Sequence, residues 1–246
     1  MTAVELYSFC YNEIDILPWS VDYWKEFADK AIVFDNGSTD GSVEFLSQFP
    51  WVEVRHFETD GMDDEVVRYI KNNAWKGSDA DWVVVCDMDE HIYCPKGVRH
   101  ILNEYTKASV GIVYPKWFVL SSDEVPQYNG ELLHRVRPYW VPLQKEAKPM
   151  LFQPRLVKEM NFSAGQHFSS PELSGRCLTV NGGSIYCLHS ESRLSSEYYL
   201  ERMRKSNERR SSLNIQMGYG THYARSEEEI LAQLDEYKEK AIILDI

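Results

Sequence analysis

Three carboxylates fall within four residues at Asp87-Met88-Asp89-Glu90, directly after the apolar run Trp82-Val83-Val84-Val85-Cys86. Asp87 and Asp89, two apart, can converge on one hard divalent cation such as Mg²⁺ or Mn²⁺. A solvated acidic turn at the end of a strand would carry the same residues, so the rest of the chain has to decide. Three more polar groups also follow apolar runs: Asn12-Glu13 after residues 4–11, Asp35 after 31–34, and the Asp60/Asp63 loop after 52–57.

Those runs are the elements that must position the acids. The five apolar residues 82–86, bounded by acids, read as a short strand buried on both faces, as in the middle of a parallel sheet. Helical patterns separate the apolar runs. Val21, Trp24 and Ala28 share one face, Val43, Phe45 and Leu46 mark a second helix, and Val67, Ile70 and Ala74 a third. Val98, Ile101, Leu102 and Tyr105 mark a fourth, before a fifth strand over residues 110–114. This alternation predicts an α/β fold with a mainly parallel, doubly wound central sheet and helices on both faces. In such a sheet ligands bind outside the C-terminal ends of the strands, where all of these acids fall.

The second half is less regular. Residues 121–131 read as a long loop, and Pro138, Pro142, Pro149 and Pro154 keep residues 132–156 out of long helices. Residues 178–180 and 184–186 flank Asn181-Gly182-Gly183, a β-hairpin signal. Ser195 or Ser196 can cap a helix through Arg210. The tail, residues 226–246, opens with the capping box Ser226/Glu229, and Ile230, Leu234, Tyr237 and Ala241 follow on one face.

Composition narrows the function. The net charge of -12, from 38 acids against 26 bases, argues against a general nucleic-acid surface. Five cysteines without C-x-x-C spacing point to free, buried thiols. No basic, apolar leader opens the chain and no run approaches membrane-spanning length, so a soluble, cytoplasmic protein is expected.

A nucleotide lying across these strand ends would find acceptors at Asp35 and Asp87 for base N–H or ribose hydroxyl groups, and Tyr11 to lie against its ring. With no G-x-G-x-x-G and no Walker Gly-Lys pair, its phosphates lack the usual backbone cradle. A metal on Asp87 and Asp89 would replace it.

Tyr11-Asn12-Glu13, then Asp35-Asn36-Gly37-Ser38-Thr39-Asp40-Gly41, then Asp87-Met88-Asp89-Glu90 resemble the ordered landmarks of the family 2-like glycosyltransferases of the GT-A fold. The subgroup most resembled carries Asp-x-Asp-Glu and a late Leu-His-Ser-x-Ser-Arg, here Leu188 to Arg193. The resemblance covers residues 4–114 well and residues 148–210 loosely. It implies a nucleotide-diphosphate sugar donor, with a UDP-sugar favoured, a Mn²⁺ or Mg²⁺ ion, and transfer to a hydroxyl of a glycan or other acceptor. It implies that Asp35 contacts the base, Asp87 the ribose and metal side, and Asp89 the metal. Tyr11, Asn12, Glu13 and Arg68 fall on the donor side. One domain over residues 1–246 follows, with a nucleotide-binding half to about 115, an acceptor-side, metal-completing half over about 116–225, and the C-terminal helix. The chain departs from the family where inverting members carry a Glu-Asp pair as general base. Residues 162–168 offer His167 there instead.

Among the other histidines, His189 ends the apolar run 185–188, and imidazole there suits Mn²⁺. His91 follows Glu90 and is expected to line the site, and His56, His100 and His134 read as surface groups. Arg202, Arg204, Lys205, Arg209 and Arg210, with Arg193 before them, make a basic helix face. It is either solvated by Glu197, Glu201 and Glu208, or turned to a diphosphate, an anionic acceptor or a membrane surface. The alternatives to an inverting transferase are a retaining one, an aspartyl-nucleophile phosphatase, a nucleotidyltransferase and a non-catalytic carbohydrate-binding module.

Overall fold

The structure is a computed structural model that describes residues 2–143, 148–190 and 194–246. The first half alternates as β1 (Val4–Cys10), α1 (Leu17–Lys25), β2 (Lys30–Asp35), α2 (Ser42–Leu46), β3 (Val52–His56), α3 (Asp64–Asn73) and β4 (Trp82–Val85). A short β5 (Glu90–Tyr93), α4 (Val98–Lys107) and a long β6 (Val110–Leu120) come next. The second half holds α5 (Leu133–Val136), β7 (Tyr139–Leu143), β8 (Leu151–Phe152), β9 (Val157–Glu159), β10 (Glu172–Leu173) and β11 (Leu178–His189). It ends with α6 (Ser196–Glu208), α7 (Ser212–Met217), α8 (Glu227–Lys240) and β12 (Ile242–Ile243).

One sheet carries the order β12-β7-β6-β8-β4-β1-β2-β3, with β11 beside β6 and β5 beside β11. The pairings run β1, β2, β3, β4, β6, β11 and β12 in one direction and β5, β7 and β8 in the other. This is the mostly parallel α/β sheet expected from the sequence. β4 is buried on both faces: Trp82 and Val84 enter one core layer with Trp24 and Phe27, Val83 and Val85 the other with Trp75 and Phe152. Both layers exclude water, so every residue of β4 can be apolar and only its end delivers charge.

Two second-half elements differ from the expectation. The stretch at 178–186 is no hairpin. β11 runs straight on beside β6, with Gly182 opposite Pro115 and Tyr186 opposite Lys116, so residues 183–185 bulge. Pro115 has no N–H to give the ladder, and Gly182 and Gly183 take the left-handed backbone that the bulge needs, at φ 80° and 65°. β11 therefore carries His189 to the end of β5, opposite Glu90. The C-terminal helix stops at Lys240, and Ile242 and Ile243 pair with β7 instead of extending Ala241's face. Its capping box at Ser226 and Glu229 is formed.

Four cysteines are buried and Cys177 is half-buried, all as free thiols. Among the described residues no helix is long and apolar enough to cross a membrane.

Candidate active site

The ends of β1 and β2 are tied together by short side chains. Asn12 turns the chain with a left-handed φ of 54°, which asparagine tolerates better than most residues. Its Oδ1 accepts from the Thr39 amide at 2.7 Å, and its own amide donates to Ser38 Oγ at 2.9 Å. Asp35 is buried, and its Oδ2 accepts from the Gly37 and Ser38 amides at 3.0 and 3.1 Å. Asp35 thus shapes the loop of residues 36–41, with His56 Nδ1 3.5 Å from the same oxygen.

The acidic turn after β4 is set in a frame of cations and hydroxyls. Lys71, on α3, donates to Asp87 Oδ1 at 2.6 Å, and Lys148 Nζ stands 3.8 Å from Asp87 Oδ2. Lys148 also donates to the fully buried Glu90 at 2.5 Å, while Glu90 Oε2 accepts from the Asp87 amide at 2.8 Å. Burial works to raise the Asp87 carboxyl, but the Lys71 and Lys148 charges outweigh it and hold the group below the usual carboxylate range. Ser20 of α1 donates to the Met88 carbonyl at 2.7 Å, fixing the turn between the two aspartates. Its Oγ also lies 3.2 Å from His91 Nε2.

Asp89 meets His189 across the β5–β11 pairing, with Nε2 to Oδ1 3.6 Å. Both side chains are mostly buried, and the Trp117 ring stands edge-on to the imidazole at 5.3 Å. Burial pushes Asp89 up, but His189 and then Arg202 pull it well below the usual range.

Helix α6 lies over these strand ends. Ser195 caps it through the Tyr198 amide, and Tyr198 Oη donates to Asp15 at 2.9 Å. Arg202 pairs with the buried Glu13. Burial pushes the Glu13 carboxyl up to about 7, with Arg202 opposing the rise. Just past the helix, the Arg209 guanidinium sits 3.1 Å from the centre of the Tyr11 ring and bonds to Asn36. The basic run is therefore split. Arg202 and Arg209 turn to the strand ends, whereas Arg204 and Lys205 pair with Glu201 and Glu208 in solvent. Arg193 lies outside the described residues, as do Glu191 and Ser192.

The structure brings Tyr11, Asn12, Glu13, Asp35, Asp87, Asp89 and His189 to one edge of the sheet. It does not bring Arg68, whose guanidinium is ion-paired with Glu65 on the outer face of α3. Lys71, one turn further on, faces inward instead. Sequence reasoning missed Lys71, although a lysine among Val67, Ile70 and Ala74 on the inner face of α3 was the available signal. Lys148 left no such trace.

Two histidine expectations are corrected. His134 is buried, not a surface group, with Nδ1 2.7 Å from Tyr23 Oη. His91 is fully buried and stacks on Tyr23 at 4.5 Å, so it packs behind the turn rather than lining it. His56 and His100 are exposed as expected. His167 is also exposed, at the end of a turn beside Gly165. Its neighbour Gln166 is the buried one, donating to the Val85 and Pro149 carbonyls at 3.2 and 3.4 Å.

Among the described residues no group of three or more His, Cys, Asp or Glu side chains is gathered around one point. Asp87 is turned to Lys71, so the expected trio of Asp87, Asp89 and His189 is not assembled. Asp89 and His189 by themselves offer an oxygen and a nitrogen close enough to occupy neighbouring positions on one Mn²⁺ or Mg²⁺ ion.

No family model and no curated protein matches the chain. Among solved structures, residues 1–349 of S. aureus TarS align over 96% of this chain and 71% of that one, at 15% identity and a TM-score of 0.48. The same fragment in complex with UDP aligns over 95% and 70%, at 14% identity and a TM-score of 0.48. A 4-diphosphocytidyl-2C-methyl-D-erythritol synthase aligns over 63% and 76%, at 15% identity and a TM-score of 0.38. At these values the reading of the site rests on its own geometry.

Proposed function

We infer that this chain is a glycosyltransferase that moves a sugar from a nucleotide-diphosphate donor, with a UDP-sugar favoured, to a hydroxyl of a glycan or other acceptor. The observation that supports this reading is the convergence of Tyr11, Asn12, Asp35, Asp87 and Asp89 at the C-terminal ends of adjacent parallel strands, with His189 carried to Asp89 by β11.

Each group has a task on a nucleotide-sugar. Asn12 and Asp35 fix the loop of residues 36–41 that receives the base. Asp87 is kept ionised by two lysines and remains 37% exposed, so it can accept from a ribose hydroxyl. Asp89 and His189 would hold Mn²⁺ or Mg²⁺, which would supply positive charge beside the leaving diphosphate. Arg202 adds fixed positive charge near Asp89, which favours the anionic leaving group without further reorganisation. The half of the chain after about residue 115 presents the acceptor, and His167 is its nominated base for an inverting displacement.

The test is calorimetry of UDP with and without Mn²⁺, followed by incubation with a panel of UDP-sugars. A transferase binds UDP more tightly with the metal and slowly releases UDP from its own donor in the absence of acceptor. Metal-independent binding with no donor turnover would count against the reading.

A further inference from the structure

The donor edge is already occupied by the chain itself. Tyr198 holds Asp15, Arg202 holds Glu13, and Arg209 lies on Tyr11 and bonds to the Asn36 side chain and carbonyl. A guanidinium in van der Waals contact with the ring leaves that face no room for a base. The backbone secures the contact: the Met62 amide donates to the Arg209 carbonyl at 2.6 Å, and the Ser211 amide donates to the Met62 carbonyl at 3.0 Å. Gly61, at φ 79°, allows this approach, because a Cβ there would run into the Arg209 carbonyl.

The helix that carries Tyr198 and Arg202 joins the main core through Tyr198, while Arg209 lies just past its C-terminal end. Its buried residues Tyr199 and Met203 pack with Ile230 and Leu234 of α8 in a small cluster separate from both layers on the sheet. The stretch past the helix, held by backbone hydrogen bonds, the Asn36 contact and one ring face, is the kind of unit that opens before the core does.

We propose that residues 209–211, just past α6, form an autoinhibitory latch, in which Arg209 fills the nucleobase subsite on Tyr11 and must swing away before a nucleotide can enter. The latch rests on the donor reading above. Closed, it lowers apparent nucleotide affinity by the fraction of time that it stands open.

The experiment titrates UDP with Mn²⁺ into the wild-type protein, Arg209→Ala and Gly61→Ala, and follows hydrogen exchange at the Met62 and Ser211 amides. Gly61→Ala displaces the strap through its backbone while keeping the guanidinium. Both variants should bind UDP more tightly, by about tenfold if the latch is open about a tenth of the time. UDP should also speed exchange at Met62 and Ser211 in the wild type. Unchanged or weaker binding by both variants, with the two amides still protected, overturns the latch, while metal-dependent binding of UDP by the wild type leaves the donor reading intact. No UDP binding by any of the three proteins overturns the donor reading and the latch with it.

Discussion

The Lys71 ammonium lies 2.6 Å from Asp87 Oδ1, with its own side chain 3% exposed and the carboxylate 37% exposed. The lysine is buried and the acid it neutralises opens outward. Lys71 thus holds Asp87 from behind, and the Phe9 ring, 5.3 Å away, lines its path. The carboxylate keeps its charge and its orientation while one side stays open to a ligand.

Replacing Lys71 with Met should preserve the apolar stem and remove only the ammonium. A charge-assisted hydrogen bond at a partly open carboxylate is worth about 1–3 kcal/mol, and Lys148 remains to shield Asp87. Urea unfolding at pH 7 should show a loss within that range. The freed Asp87 should also make the Mn²⁺ dependence of UDP binding stronger. An unchanged urea midpoint would mean that the pair contributes nothing to folding.

His91 and His134 give the chain an acid-labile core. Burial lowers His91 to about 3 and His134 to about 4 in the folded protein. Unfolded, both titrate near about 6.5, so the unfolded state takes up protons first as the pH falls. The two histidines therefore contribute fully above pH 7 and withdraw about 1.4 kcal/mol each per pH unit from about pH 6.5 towards the folded values, while Glu13, raised to about 7, works in the opposite direction. Urea midpoints between pH 7 and 5 measure that slope. His134→Asn should lower the slope by about 1.4 kcal/mol per pH unit, and an unaltered slope would show that the His134 site does not titrate on unfolding.

The four strand ends were legible because their signal is local. An apolar run buried on both faces has few readings, and a polar residue after it must fall at the edge of the sheet. β11 was not legible in the same way, since Asn181-Gly182-Gly183 is the local signature of a reversal. Only Pro115 in the neighbouring strand turns those glycines into a bulge. Lys148 and Arg209 reach the site from stretches whose own pattern says nothing of where they fold back. Arg68 and Lys71 sit one helical turn apart, and the pattern of α3 distinguishes them only when its buried face is known.

Asp89 and His189 should behave as one unit. Asp89→Asn and His189→Ala are each expected to abolish the Mn²⁺ dependence of UDP binding, with the fold retained because both groups stand at the end of the sheet and not within its two core layers. The double variant should then be no worse than either single one, the non-additivity of residues that share a partner. Fully additive losses measured by calorimetry would mean that the two groups act on separate parts of the nucleotide.

The adjacent Gln166 and His167 should fail in different assays. Gln166 is buried, with a left-handed φ of 62°, and donates to carbonyls on the segments that lead into Asp87 and out of Lys148. Gln166→Leu leaves both carbonyls without that donor, so it should cost about 1–3 kcal/mol of stability in urea unfolding. His167 is exposed, so His167→Ala should lower the unfolding free energy by less than Gln166→Leu does. If its imidazole removes the acceptor proton, the same variant keeps UDP affinity and loses about 10²–10⁴ in transfer rate, the usual worth of general-base assistance. Near-normal transfer by His167→Ala would take the base role from it and favour a retaining reaction, in which the protein supplies no base.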